Sequence, residues 1–184
     1  MAVTKLETQQ RGLLALIKGR STPAEDGYLA QVTGSQELAM VREIALWWRA
    51  FQLEVKCRFS ARLLKRLGRF EALVAAYFDN NATSPFVEEL SRDFLALLSV
   101  DEDPLVRIVS LFEHALLEAR DGSSGVFEVV WDRHPDCFFR ALNQGGDIPS
   151  AETGRLYRMR IAGDLPHMVA CTMESGRGND ERAQ

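Results

Sequence analysis

The stretch from Glu43 to Ala119 constrains the fold of this chain most, because apolar residues recur in it at helical spacing in one segment after another. The runs that carry the pattern read WWRAFQLEV, RLLKRLGRFEALVAAYF, SPFVEELSRDFLALL and LVRIVSLFEHALLEA. Apolar residues three and four positions apart lie on one side of a helix, so each run predicts amphipathic helix. Such helices bury their apolar sides by packing on one another, and the sequence therefore predicts a helical bundle.

A long helix begins just before this block. Its apolar stripe consists of Leu38, Val41, Ile44, Trp48, Phe51 and Val55. Such a stripe is the expected core-facing side of the helix. Trp47 and Trp48 are neighbours, and neighbouring side chains on a helix point about 100° apart, so one of them must turn away from the stripe. Two interpretations stay open: the pair marks an exposed binding face, or the second tryptophan packs beneath the N-terminal helix.

Capping and turn residues divide the helical region further. A first helix carries Leu6 to Ile17 and ends near Gly19, and the polar stretch from Arg20 to Ser35 is interpreted as a connection rich in turn residues. Ser60 is the expected cap of a short helix that ends at Gly68. Another helix is expected from Phe70 to Phe78.

Two later helices have better marked starts. Ser84-Pro85 and Asp103-Pro104 each place a capping side chain directly before a proline. Proline suits the first helical position, because its missing N–H has no partner there in any case. The second of these helices is expected to end at Asp121-Gly122, where the sequence DGSSG forms the clearest boundary in the chain.

Beyond this boundary the period of the apolar pattern changes. The segment from Val126 to Trp131 is predicted to be a strand, and Pro135 to Asn143 a short helix. The segment from Leu156 to Ile161 alternates between apolar and polar residues, which predicts a second strand. Its hairpin partner is expected from Met168 to Met173.

These patterns predict an α+β fold. An N-terminal α-helical bundle is expected at residues 1–121, and a small mixed α/β part with a short β-hairpin at residues 122–174. The last residues, 175–184, are polar and are expected to form a flexible tail.

Length and charge limit the functions that the chain can have. Its 184 residues are enough to bury a substantial core. The net charge of −4 argues against general binding to the phosphate backbone of nucleic acid. The start, MAVTKLETQQRG, has no apolar signal segment, and no run approaches the roughly 20 apolar residues that a membrane span needs. The number of cysteines is odd and no CxxC pair is present, so we expect a cytoplasmic protein. From the charge and the lack of a long apolar run, we expect it to bind neither nucleic acid nor membrane.

Residues that carry chemistry are few and scattered. His114, His134 and His167 show no metal-ligand spacing, and the sequence contains no nucleotide-binding or nucleophile motif. Cys57 and Cys137 have basic neighbours, but a single cysteine on a helix is ordinarily a packing residue. We expect no catalytic residue and no cofactor in this chain. An enzyme that uses one of these cysteines is the weakest alternative.

The strand from Leu156 to Ile161 has the most suggestive polar pattern. Arginines line one of its sides and apolar residues the other, which suits a sheet edge that accepts an extended acidic peptide by backbone pairing. The predicted peptide-binding residues are Arg155, Tyr157, Arg158 and Arg160. The strand from Val126 to Trp131 is the other candidate edge. The competing interpretation is the solvated side of a two-stranded hairpin.

The helical region also contains an ordered set of short motifs. They are Trp48-Arg49, Leu67-Gly68 followed by Phe70 and Tyr77, Ser84-Pro85 with Phe94 and Leu98, and the segment Leu111-Phe112-Glu113-His114-Ala115. Over roughly Leu6 to Ala119, their order and spacing resemble the N-terminal helical domain of the HvfC/BufC family of bacterial proteins. A proline that the family often carries before the Leu-Gly step is missing. The C-terminal part is similar only in layout to the partner subunits of the methanobactin and 3-thiaglutamate pathways.

The resemblance implies a non-catalytic partner subunit. Proteins of this family are usually partners of multinuclear non-haem iron oxygenases that modify cysteines in ribosomally made peptides. By the same resemblance, this chain would bind the oxygenase, with Trp47 and Trp48 as candidate contacts, and would present the precursor peptide. The iron is expected in the partner enzyme. The main alternative is a helical-bundle regulator that binds DNA or protein.

Overall fold

The chain folds as an α+β structure, as the sequence predicts: a run of helices precedes a small antiparallel sheet, and one further helix lies between the first two strands. The computed structural model describes residues 4–20, 26–80 and 86–175. The helices are α1 (Lys5–Ile17), α2 (Gly27–Thr33), α3 (Gln36–Lys56), α4 (Arg58–Arg66), α5 (Phe70–Asn80), α6 (Val87–Leu98), α7 (Pro104–Arg120) and α8 (Pro135–Gln144). The strands are β1 (Phe127–Trp131), β2 (Arg155–Ile161) and β3 (Val169–Ser175), with a 3₁₀ turn at Pro166–Met168.

Helix α2 lies in the segment that the sequence predicts to be a polar connection. The Asp26 carboxylate begins this helix by accepting the N–H groups of Tyr28 at 2.9 Å and Leu29 at 3.3 Å. Leu29 then packs with Leu16 of α1 and Leu38 of α3 in a small apolar cluster. With seven residues, of which only Leu29 is buried, α2 is too short to show helical periodicity.

The main core lies among α3 to α7, which confirms the predicted helical bundle. Its fully buried side chains include Leu53, Leu63, Leu64, Phe94, Leu95, Leu98 and Val109. The aromatic ring of Tyr77 meets Phe94 edge-on, with 5.4 Å between ring centroids. Each helix therefore contributes apolar side chains to a shared interior, as the periodicity indicates.

Several predicted helix boundaries are confirmed. The Asp103 carboxylate accepts the N–H of Leu105 at 2.8 Å, and Pro104 is the first residue of α7. Gly68 follows the end of α4 with φ +65°, a left-handed conformation that glycine adopts at little cost. The predicted start at Ser84-Pro85 and residues 176–184 of the predicted tail lie outside the described residues.

The start of α4 is capped from another helix. The prediction that Ser60 caps this helix is wrong, because α4 begins at Arg58 and Ser60 lies within its first turn. Buried Glu113 of α7 fills that role: Oε1 accepts the N–H of Phe59 and Oε2 that of Ser60, both at 2.8 Å. The carboxylate satisfies two donors that have no partner within α4 and so ties α7 to α4. Burial penalises the charged form and raises the pKa of Glu113 to about 7.

The strands form one antiparallel sheet in the order β1-β2-β3. The predicted hairpin between β2 and β3 is confirmed. Strand β2 is central, since Arg158 lies opposite Val130 of β1 and Thr172 of β3. The prediction that a peptide adds beside Leu156 to Ile161 is therefore wrong, because both sides of that strand are already paired. Within the described residues, the free edges of the sheet belong to β1 and β3.

The sheet and the helices share one hydrophobic core across the boundary predicted at residue 121. Trp131 of β1 is fully buried, and its ring centroid lies 5.9 Å from that of Phe112 in α7. Phe138 and Phe139 of α8 approach the same indole at 5.3 and 5.2 Å. Phe139 also reaches Phe59 of α4 at 4.8 Å. The secondary structure changes at this boundary while the packing continues, and a division into two domains stays a prediction.

Because burial raises the pKa of Glu113, we expect the protein to become less stable as the pH rises from about 5 to 8. Its pKa is about 7 in the folded state against an ordinary value of 4.5, so the folded state holds the proton more tightly in this range. The free energy of unfolding therefore decreases as the pH rises towards the folded pKa and then levels off. The difference in pKa corresponds to on the order of 3 kcal/mol. Urea denaturation at a series of pH values measures the decrease.

Glu113→Gln is the matched control, because the amide has nearly the same shape and does not titrate. We expect the stability of this variant to vary much less over the same pH range. The difference between the two curves removes the contributions of all other titrating groups. Parallel curves for the wild type and the variant would contradict the raised pKa.

Candidate protein-interaction site

The apolar stripe of α3 faces solvent along most of its length. Leu38 at its start is buried, but Ile44 is 58% exposed and Trp48 52%. Trp47, at 63%, extends the exposed surface. The exposed set, here called the α3 apolar face, consists of Met40, Val41, Ile44, Trp47, Trp48, Phe51 and Val55. The expectation that this stripe faces the core is wrong, and both tryptophans are exposed, which agrees with the first of their two interpretations.

Three aromatic rings form the centre of the α3 apolar face. Trp47 stacks on Phe51 with 5.8 Å between ring centroids and 9° between ring planes. Trp48 lies 5.7 Å from the same phenyl ring, and the two indoles are 6.3 Å apart. Given their exposed fractions, the three rings present on the order of 300 Å² to water. That area already matches the largest apolar patch of a typical monomer, and such patches mark interaction sites.

The opposite side of α3 explains this orientation. Leu53 is fully buried there. The Arg42 side chain donates from Nε to the backbone oxygen of Leu16 at 2.7 Å, and the Arg49 guanidinium lies 5.0 Å from the centroid of the Phe78 ring. Long arginine stems can cover apolar surface while their charged ends find polar partners. The inner side of α3 is therefore built partly from residues that count as polar in a sequence pattern.

Among the predicted peptide-binding residues, Arg158 is already paired within the sheet. Its Nη1 lies 2.9 Å from Glu128 Oε2 on β1, and its Nε lies 2.8 Å from Glu174 Oε1 on β3. The hydrogen bonds that the guanidinium donates to Glu174 and then to Glu128 raise the pKa of Arg158 above its ordinary value. The guanidinium therefore joins all three strands, and an incoming acidic peptide has to compete with two internal carboxylates.

The other predicted residues of β2 have different surroundings. The buried Tyr157 donates its hydroxyl to Glu152 Oε2 at 2.9 Å, so its position does not favour contact with a peptide. Arg155 lies 3.3 Å from the same carboxylate. Arg160 is exposed and has no ion-pair partner within the described ranges. Of the predicted cations, Arg160 alone keeps its charge available to a ligand.

The two free edges of the sheet differ in accessibility. Just beyond β1, the backbone N–H of Glu152 donates to the oxygen of Asp132 at 2.6 Å and closes that end of the edge. In β3, by contrast, every residue from Cys171 to Glu174 is exposed, including those whose side chains lie on the core side of the sheet. Strand β3 is therefore the more open edge.

The hydrogen-bond pattern determines which backbone groups of β3 point outward. At the base of the hairpin, the N–H of Ala162 donates to the oxygen of Met168 at 3.1 Å. Bonded and non-bonded pairs alternate along an antiparallel ladder, so Thr172 points its backbone groups toward β2. Cys171 and Met173 consequently direct their N–H and C=O groups to the free edge, where they can pair with an added strand. This edge was missed from sequence because the place of β2 in the sheet depends on pairing with distant β1.

The cysteines considered as nucleophiles have contrasting environments. Cys57 is fully buried, and burial, followed by the charge of Glu113, raises the pKa of its thiol. Both effects disfavour a reactive thiolate. Cys137 is exposed on α8. In the described part of the chain, no three His, Cys, Asp or Glu side chains are grouped so that they could hold a metal ion. No described helix combines the length and the apolar character needed to cross a membrane.

Comparison with known proteins assigns no family. No protein-family model, no curated protein and no solved structure matches the chain. The α3 apolar face, the open edge of β3 and the resemblance of the helical motifs therefore carry the functional interpretation.

The exposure of the two tryptophans predicts that they contribute little to folding. We expect Trp47→Ala/Trp48→Ala to change the free energy of unfolding by no more than about 1 kcal/mol, because each exposed position typically shifts it by about 0.5 kcal/mol or less. Leu53→Ala, on the buried side of the same helix, should cost about 2–5 kcal/mol. Urea denaturation measures both effects. A loss in the double variant as large as that of Leu53→Ala would mean that the indoles are packed.

Proposed function

We propose that this chain is a non-catalytic partner subunit that docks on another protein through the α3 apolar face. The observation that carries the proposal is the row of exposed aromatic and aliphatic side chains along one side of α3. Covering such surface releases water from apolar groups and favours association. Tryptophan is also enriched among the residues that dominate binding energy at protein interfaces.

The dimensions of the face suit a groove on the partner. From Met40 to Val55 the exposed residues follow helical spacing over about 22 Å of helix axis. A helix that presents such a row commonly lies in an apolar groove of its partner and uses the row as anchors. A stable interface buries about 800 Å² per partner, and the three rings together with the four aliphatic side chains supply a large part of that area.

The resemblance of the helical motifs gives the class of partner in this proposal. That class is a multinuclear non-haem iron oxygenase, and the iron with its ligands would belong to the oxygenase. This chain would bring a ribosomally made precursor peptide to that enzyme for modification at cysteine. The burial of Cys57, one of the two cysteines considered as nucleophiles, supports a structural role for that thiol.

In this proposal the precursor peptide pairs with the free edge of β3. The outward backbone groups of Cys171 and Met173 would supply hydrogen bonds, and alternate side chains of the peptide would supply specificity. Arg160 lies opposite Ala170 of β3, close enough to the edge strand to attract an acidic residue of the peptide. The peptide site of the proposal thus moves by one strand from the position that the sequence predicts.

A helical-bundle regulator that binds DNA is the competing interpretation. Its affinity for a duplex would come largely from cations on phosphates and would fall steeply with salt. It gives no role to the α3 apolar face, because apolar side chains contribute nothing to phosphate contacts. The two functions therefore predict different results in the same pair of assays.

Docking through α3 predicts co-elution with the partner enzyme. Co-expressed with a multinuclear non-haem iron oxygenase, the chain should elute as a heterodimer in size exclusion. We expect Trp47→Ala/Trp48→Ala to weaken the complex by about thirtyfold or more, because a single aromatic anchor typically contributes about 2 kcal/mol.

Val100→Ser is the matched control, since Val100 is an exposed apolar residue beyond the end of α6. This variant should leave the complex unchanged. A complex that tolerates loss of both tryptophans would contradict the site. A gel shift with duplex DNA and no co-elution would favour the regulator.

Pairing at β3 predicts that one backbone N–H matters for peptide affinity. Met173→Pro removes the outward donor, whereas Met173→Ala removes the same side chain and keeps that donor. We expect the proline variant alone to bind a fluorescent precursor peptide about fivefold more weakly, because a net hydrogen bond is worth about 1 kcal/mol. Proline is tolerated on an edge strand when the lost N–H faces outward. Equal affinities of the two variants would mean that the peptide binds elsewhere.

A further inference from the structure

Helix α4 carries a row of cations that its surroundings do not neutralise. Arg58, Arg62 and Arg66 are four residues apart and lie on one side of the helix. None of the three has a carboxylate at ion-pair distance among the residues that the structure describes. Lys65 lies beside them and pairs with Glu54 at 2.6 Å. Helix α4 itself contains no acidic residue.

The arginines of this row make contacts with uncharged groups. Arg62 donates from Nη1 to Oδ1 of Asn143, and Arg66 donates from Nη1 to the backbone oxygen of Ala141 at 3.4 Å, both near the end of α8. The Arg58 guanidinium lies 5.3 Å from the centre of a neighbouring phenylalanine ring. These contacts orient the side chains and leave their positive charges in place.

Helix dipoles account for only part of the row. The C-terminal ends of α4 and α8 meet here, and each carries the equivalent of about half a negative charge. Together the two ends offset about one of the three unpaired guanidinium charges. The remaining charge faces solvent and is available to an anionic ligand.

Two members of the row, Arg62 and Arg66, line an open groove between α4 and the end of α8, and Arg58 lies one turn of α4 before Arg62. The groove has a volume of about 520 Å³ and is lined by Arg62, Lys65, Arg66, Leu142, Asn143 and Gly145. Gly145 follows α8 in a left-handed conformation with φ +74° and adds no side chain to the groove. The surface is therefore a cationic trough that is open to a chain laid along it.

We propose that this groove binds an extended acidic polypeptide segment with carboxylates at alternate positions. Arginines four residues apart on a helix are about 6 Å apart along its axis. Alternate side chains of an extended chain are about 6.6 Å apart and point to the same side. Three carboxylates on one side of the segment therefore match Arg58, Arg62 and Arg66 in register. Guanidinium groups bind carboxylates through paired hydrogen bonds, which adds geometric selectivity.

The charge of the whole chain favours a polypeptide segment over nucleic acid. With a net charge of −4, the protein repels a polyanion that extends beyond the groove. A short acidic segment contacts only the cationic row. The groove shares no residue with the α3 apolar face or with β3, so the inference goes beyond the proposed function and does not depend on it.

The test uses the full chain and two fluorescein-labelled peptides of equal composition. In one peptide glutamate alternates with serine, and in the other the glutamates form one block. Anisotropy at low and at physiological salt gives the affinities. The first variant is Arg58→Gln/Arg62→Gln/Arg66→Gln. Its matched control is Arg11→Gln/Arg20→Gln/Arg120→Gln, which has the same net charge with the α4 row intact.

A second variant avoids the contacts with α8. Arg58→Glu reverses the charge at one end of the row, where the side chain is exposed and makes no hydrogen bond to α8. We expect the alternating peptide to bind more tightly than the block peptide. The α4 triple variant should lose about tenfold or more in affinity, Arg58→Glu should lose affinity as well, and the control should keep it.

Four results would overturn the proposal. The first is that neither peptide binds at low salt, and the second is that the alternating and block peptides bind equally. An equal loss in the α4 triple variant and its control would show that only net charge matters. Tighter binding of a DNA duplex that depends on the same arginines would identify the groove as a nucleic-acid site.

Discussion

The positions of the open edge of β3 and of the cationic groove depend on the packing of Trp131 against α7 and α8. The indole is fully buried between Phe112, Phe138 and Phe139, so strand β1 is fixed on the helices. In the order β1-β2-β3, strand β1 is the edge packed on the helices, β2 is central, and β3 is the opposite edge of the sheet. The same ring cluster reaches Phe59 at the start of α4 and so sets α4 beside α8. One aromatic cluster therefore positions both the open strand edge and the cationic groove.

Helix α3 has one side that packs in the bundle and an opposite, apolar side that is exposed. Its inner side holds the bundle together through Leu53 and the stems of Arg42 and Arg49, while its outer side presents stacked aromatic rings. Large apolar side chains on the outside are unfavourable in isolation, and their concentration on one helix is what a docking surface requires. The proposed division of labour follows, with α3 for a partner protein and β3 for an extended peptide.

Local sequence signals predicted the helix starts and the strands. The features that could not be predicted depend on contacts between residues far apart in the chain. Asp103-Pro104 marks a helix start by its own chemistry, and the alternation in β2 predicts a strand, so both were found. Periodicity shows which residues share a side of α3 but not which side meets the bundle. The cap of α4 comes from Glu113, more than fifty residues along the chain from its partners. For the candidate site, Trp47 and Trp48 were identified by their adjacency, but the open edge of β3 depends on pairing between distant strands.

The most direct test of docking through α3 is fluorine NMR on the chain labelled with 5-fluorotryptophan, titrated with unlabelled iron oxygenase. The three tryptophans give three signals, of which Trp47 and Trp48 report on the α3 apolar face and Trp131 on the core. Without the enzyme, the two α3 signals should respond to exchange of H₂O for D₂O and the Trp131 signal should not. On binding, we expect the α3 signals to shift and lose that response while Trp131 stays unchanged. A complex that forms with both α3 signals still exposed to solvent would contradict the account.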